Sequence, residues 1–119
     1  FCVGENKKQK SKKLTLQTLK KQLLKVIERK FDKSNIIVAY EPVWSIGSGL
    51  IPKSEDLIKS VAFIKSKLSK KSSKILYGGS VNSNNVHKLK IIAGIDGFLI
   101  GGASQNSKKF IDIIKKTIN

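Results

Sequence analysis

Ile36-Ile37-Val38-Ala39-Tyr40-Glu41-Pro42-Val43-Trp44-Ser45-Ile46-Gly47-Ser48-Gly49 is the stretch on which the fold turns. Residues 36–40 are a continuous apolar run rich in β-branched side chains. Such a run predicts a parallel strand covered on both faces. Glu41 follows at once, and the segment from Glu41 to Pro52 holds two prolines and two glycines, which makes it a loop. Parallel α/β folds gather their chemistry at the C-terminal ends of strands. A carboxylate in that position is therefore a candidate functional group.

The pattern alternates on either side of this stretch. Upstream, Leu16, Leu19, Leu23, Val26, Ile27 and Phe31 recur at steps of three and four, predicting an amphipathic helix over Thr15–Phe31. Phe1–Val3 reads as a strand end, and Lys7–Lys13 as a polar connection. Downstream, Ser54 is the expected N-cap of a helix. Glu55 and Asp56 lie in its first turn, and Leu57, Val61, Ile64 and Leu68 mark its apolar face. Lys74–Tyr77 reads as a strand followed by the tight loop Gly78-Gly79-Ser80, with a short helix inside Asn84–Lys90. Gly97–Ile100 reads as the next strand, ending at Gly101-Gly102. A last helix over Ser107–Ile118 turns Phe110, Ile113, Ile114 and Ile118 to one side. Strands alternating with helices imply βαβ units. The candidate architectures are a doubly wound open sheet and a (β/α)8 barrel, of which 119 residues supply about half.

Composition narrows the function classes. A hydrophobic content of 39% with clear apolar runs argues against disorder. No apolar run approaches the ~20 residues of a bilayer span, and the first residues do not read as a signal peptide. A cytoplasmic protein without membrane association is the expectation. Cys2 is the only cysteine, so neither an intrachain disulfide nor a cysteine metal cluster is expected. The chain lacks methionine and begins with Phe1, which reads as a fragment of a longer frame. The net charge of +16 can attract polyanions. Yet Arg29 is the only arginine, and arginine's planar fork is what nucleic-acid recognition exploits. The lysines read as a solvated surface, and nucleic-acid binding is disfavoured.

At the predicted strand ends, Glu41 reads either as a base, favoured by partial burial, or as a carboxylate capping the next turn. Position alone does not choose. The rest of its loop reads as a lid: Pro42 and Trp44 form a stiff hinge, Ile46 an apolar tip, and Gly47 and Gly49 a close approach for an anion. Gly78-Gly79-Ser80 and Gly101-Gly102-Ala103-Ser104 each follow a strand directly. Bare backbone amides in such loops make an anion site, with ordinary tight turns as the alternative.

Together these segments resemble the triosephosphate isomerase family. Ala39–Gly49 is similar to its lid segment, Tyr77–Val81 to its seventh-strand loop, Asp96–Ser104 to its eighth, and Cys2–Glu5 to the end of its fifth strand. Ser45 and Ser48 stand where the family usually has alanine and threonine. The resemblance implies an α/β fold, the C-terminal half of a (β/α)8 TIM barrel, with residues 1–119 forming a single partial domain. It implies Glu41 as the general base. It implies Gly47, Ser80, Gly101 and Gly102 as donors to the substrate phosphate, Trp44 as lid hinge, and Tyr77 with Ser80 as latch. Cys2 is expected to be buried near the base, and Glu5 to be structural. The implied partner is a triose phosphate, with homodimerisation of the complete enzyme and no cofactor or metal.

The family's Asn-x-Lys loop and its histidine electrophile have no counterpart here. His87, the only histidine, lies in the short helical segment after Ser80 and reads as a surface residue. The isolated chain is therefore expected to show little or no turnover. The alternatives are an inactive truncated remnant and a basic polyanion-binding module.

Overall fold

A computed structural model describes residues 1–28, 36–68 and 73–119. Arg29 and the expected helical position Phe31 lie outside the described residues. Within them, β1 (Cys2–Val3), β2 (Val38–Tyr40), β3 (Ile75–Tyr77) and β4 (Gly97–Phe98) form one four-stranded sheet. All neighbours are parallel, in the order β1-β2-β3-β4. The register pairs Cys2 with Ala39, Ala39 with Leu76, and Leu76 with Gly97.

That order decides between the two architectures. Right-handed crossovers that always step in the same direction put every helix on the same face of the sheet. A doubly wound sheet reverses its order and covers both faces. No reversal occurs among the described strands, so the sheet is an arc of a barrel.

Between the strands run α1 (Lys7–Ser11), α2 (Thr15–Ile27), α3 (Ser54–Lys67) and α4 (Val86–Leu89), with α5 (Ser107–Ile118) after β4. The core lies between this helical layer and the outer face of the sheet. Val3, Val38, Tyr40, Ile75 and Tyr77 point into it from the strands. Leu19 and Leu23 meet them from α2, Leu57, Val61 and Ile64 from α3, and Ile113 from α5. The spacing of apolar residues in α2 and α3 thus builds the expected stripe, except at Leu16 in the first turn of α2, which is 42% exposed.

Several expectations need correction. Lys7–Lys13 is not an irregular connection, because Lys7–Ser11 is helical. Asn6 caps it in a reciprocal box: its side chain accepts from the Gln9 N–H, and the Gln9 side chain accepts from the Asn6 N–H. This pairing satisfies orphan donors without any apolar face, so periodicity gave no warning of it. Ser54 is the first helical residue of α3 rather than its cap; Lys53 holds that position without a side-chain bond. The strands are shorter than the apolar runs, β2 beginning at Val38 and β4 ending at Phe98. On α5 only Ile113 is buried, whereas Ile114 and Ile118 are 41% and 78% exposed. The short helix α4 reaches α5 but leaves the rest of this stripe open.

Candidate active site

The loops after β2, β3 and β4 open on the same edge of the sheet, because parallel strands all end there. Glu41, Gly47, Ser80, Gly101 and Gly102 line one cleft of about 600 Å³ at that edge. Every residue expected to act as base or phosphate donor is therefore in one place. Glu41 is half-buried, and its N–H is anchored by the Val3 carbonyl at 2.7 Å.

Close backbone approaches fix where the Glu41 side chain goes. A Cβ on Gly4 would overlap the Glu41 carbonyl oxygen, and a Cβ on Gly78 would lie 2.5 Å from Glu41 Cγ. Glycine at 78 leaves the floor on which the carboxylate arm rests. Cys2 sits beside it but is exposed, not buried as expected, since it lies on the uncovered inner face of the sheet. Its thiol is pushed above the ordinary value, mainly by a hydrogen bond to Glu41, then by burial and the Glu41 charge.

The loop after β2, expected to act as a lid, is folded down onto β3's loop. The Gly49 N–H donates to Ser80 Oγ at 2.9 Å, and the Ser80 hydroxyl donates to the Ser45 carbonyl. Gly47 and Gly49 both take φ values near +70°, at 68° and 77°, a left-handed conformation that a side chain would strain. No Cβ contact would occur within 4 Å at Gly101 or Gly102. Their exposed backbone faces the cleft, with α5 beginning shortly after.

Trp44 and Tyr77, expected as hinge and latch, do not line the cleft; they pack behind the loop after β2. Trp44 Nε1–H donates to Glu5 Oε1 at 2.9 Å, and the Tyr40 hydroxyl donates to Glu5 Oε2 at 3.1 Å. Glu5 is 1% exposed, so these donors replace the water its carboxylate has lost. Lys10 Nζ stands 3.3 Å from the centroid of the Trp44 ring, a cation–π contact. Burial pushes the Tyr40 phenol far above its usual value; a Ser60 hydrogen bond opposes this and the Glu5 charge adds to it. Burial likewise raises Tyr77, opposed by its bond to Ser45.

The sequence singled out the cleft residues and also Glu5, Trp44 and Tyr77, but not the contacts that build the brace. Lys10 and the Glu5–Tyr40–Trp44 contacts join residues far apart in the chain, and no local spacing signals them. The Ser45 side chain was also missed as a participant, although its departure from the family's alanine was the available signal.

Comparison with known proteins agrees with this geometry. The family model described as triosephosphate isomerase matches residues 1–117. A relative named triosephosphate isomerase from Saccharomyces cerevisiae is 44% identical over 121 residues, covering 96% of this chain and 48% of the relative. One of the same name from Zygosaccharomyces bailii is 43% identical with the same coverage. One from Mycoplasma mobile is 42% identical over 114 residues, covering 96% and 47%. The chain spans about half the length of the curated relatives it matches. A half-barrel sheet, a carboxylate and glycine loops on one edge, and this match across residues 1–117 place the chain in the triosephosphate isomerase family.

Proposed function

We propose that these residues carry the base and the phosphate grip of an enzyme interconverting dihydroxyacetone phosphate and glyceraldehyde 3-phosphate, in glycolysis and gluconeogenesis. The observation that carries the reading is the sharing of one cleft by Glu41, Gly47, Ser80, Gly101 and Gly102. Glu41 removes a proton from the carbon beside the substrate carbonyl and returns it to the neighbouring carbon through an enediol(ate). Gly47, Gly101 and Gly102 hold the phosphate by backbone donors, and Ser80 joins them by turning a donor away from Ser45, which holds both its N–H and its hydroxyl here. Such preorganised donors act without reorganising during the reaction. The closed lid shields the enediolate from water, which suppresses side reactions.

The 119 residues by themselves turn over slowly in this reading, because the family's Asn-x-Lys loop and histidine electrophile have no counterpart in the sequence. One donor for the carbonyl oxygen is worth roughly 10²–10³ in rate. The complete enzyme is a cytoplasmic homodimer in this reading. No described helix is long and apolar enough to cross a membrane.

The test mixes this chain with the N-terminal half of the Saccharomyces cerevisiae relative and measures triose phosphate interconversion. Restored turnover that falls at least 10³-fold on Glu41→Gln supports the proposal. Turnover insensitive to Glu41→Gln sinks it. A chain that neither reconstitutes nor binds glycerol 3-phosphate points to the inactive remnant.

A further inference from the structure

The Ser45 side chain is fully buried, at 0% exposure, and sits where the lid leaves its hinge. Its hydroxyl oxygen has three partners. It bonds the Leu50 carbonyl at the far end of the lid, the Tyr77 hydroxyl on β3 at 3.1 Å, and the Ser80 N–H at 3.3 Å.

A serine hydroxyl has one proton and two lone pairs. The Leu50 carbonyl can only accept, so the Ser45 proton goes there. The Tyr77 hydroxyl must then donate to Ser45 Oγ, and the Ser80 N–H takes the remaining lone pair. Every hydrogen-bonding position of this side chain is thereby used. The partners lie on the lid's far end, on β3 and on the β3 loop. Tyr77 is itself 0% exposed, so its hydroxyl depends on Ser45 for its partner. The Ser45 carbonyl meanwhile accepts from both the Ser80 and Ser48 hydroxyls.

We infer that Ser45 is a positioning residue that clamps the lid shut. Its hydroxyl joins the two ends of the lid to each other and to the phosphate-side loop. That holds the Gly49 N–H on Ser80 Oγ and keeps Gly47 against the cleft. The inference deepens the proposed function and rests on it only for the meaning of closure.

The experiment follows amide hydrogen exchange in the whole chain, comparing the Gly49 amide with the Gly78 amide. The latter is bonded to the Tyr40 carbonyl at 2.9 Å in the sheet and serves as the core reference. Ser45→Ala is expected to speed Gly49 exchange about tenfold or more, since it orphans a buried hydroxyl, while Gly78 changes less than twofold. Tyr77→Phe alone is expected to speed Gly49 exchange about threefold, and to add less than twofold on top of Ser45→Ala. That lack of additivity marks a shared hydrogen bond rather than lost volume. Unchanged Gly49 exchange in Ser45→Ala, an equal rise at Gly78, or full additivity overturns the clamp. Inorganic phosphate, titrated by Trp44 fluorescence, separates the two claims. A wild-type chain with a Ser45-dependent lid that takes no phosphate keeps the clamp and loses the proposed function.

Discussion

The two faces of the sheet differ sharply although the same strands build both. On the outer face Val3, Val38, Tyr40, Ile75 and Tyr77 are no more than 2% exposed, sealed by helices. On the inner face, reached by stepping one residue along each strand, Ile37 and Leu99 are 50% and 41% exposed. In the row between them, Leu76 is half-buried and Cys2 is exposed, while the small Ala39 is buried at 4%. Both faces are apolar, so composition does not separate them. What separates them is the partner: βαβ crossovers bring helices to the outer face automatically, whereas the inner face of a barrel is covered by the other strands of the barrel. Stability of the described half therefore resides in the outer layer, while Glu41 and its cleft belong to the uncovered side.

The sharpest way to break this contrast is a matched pair of truncations. Ile75→Ala on the outer face should cost roughly 2–5 kcal/mol, read as a fall in the urea midpoint. Leu99→Ala on the inner face should stay within about 0.5 kcal/mol. Equal losses would mean that the inner face is covered after all.

Gly78→Ala probes the boundary between fold and site. The new methyl meets the movable Glu41 arm 2.5 Å from its Cγ. The arm turns aside, so stability shifts by less than ~1 kcal/mol while turnover of the reconstituted enzyme drops about 10²-fold, as expected for a displaced reacting group. A large stability loss with intact turnover would reverse the assignment.

The smallest effect lies at the opposite edge of the sheet. Asp96 accepts from the Ile75 N–H at 2.9 Å and faces Lys65 and Lys74 at 3.5 and 3.6 Å. Burial opposes ionisation, but the Ile75 N–H and the two lysines together hold its carboxyl below 3.8. A lowered folded value stabilises the chain above 3.8, and that contribution is lost as pH falls through the folded value. Asp96→Asn should cost within about 1 kcal/mol at neutral pH, with the gap to wild type closing in acid. A gap that is constant with pH would exclude the charge as its source.

Much of this was legible in the chain. The apolar run before Glu41, the glycine pairs after β3 and β4, and the stripes of α2 and α3 each carry a local physical signature. The helix Lys7–Ser11 was not legible, because its stability comes from the Asn6–Gln9 box and not from an apolar face. Nor was the lid brace, since Glu5 meets Tyr40 and Trp44 across more than thirty residues.

By itself, then, the sequence determined every described strand and the amphipathic helices, the parallel pairing and the identity of the residues at the strand ends, because backbone propensity and side-chain period act locally. Only the tertiary structure decided that the strands run in order without reversal. It alone decided which apolar face is covered, and that a serine hydroxyl ties the lid's ends to β3. Those outcomes depend on which distant groups meet, and hydrogen bonds and burial are set by partners in space.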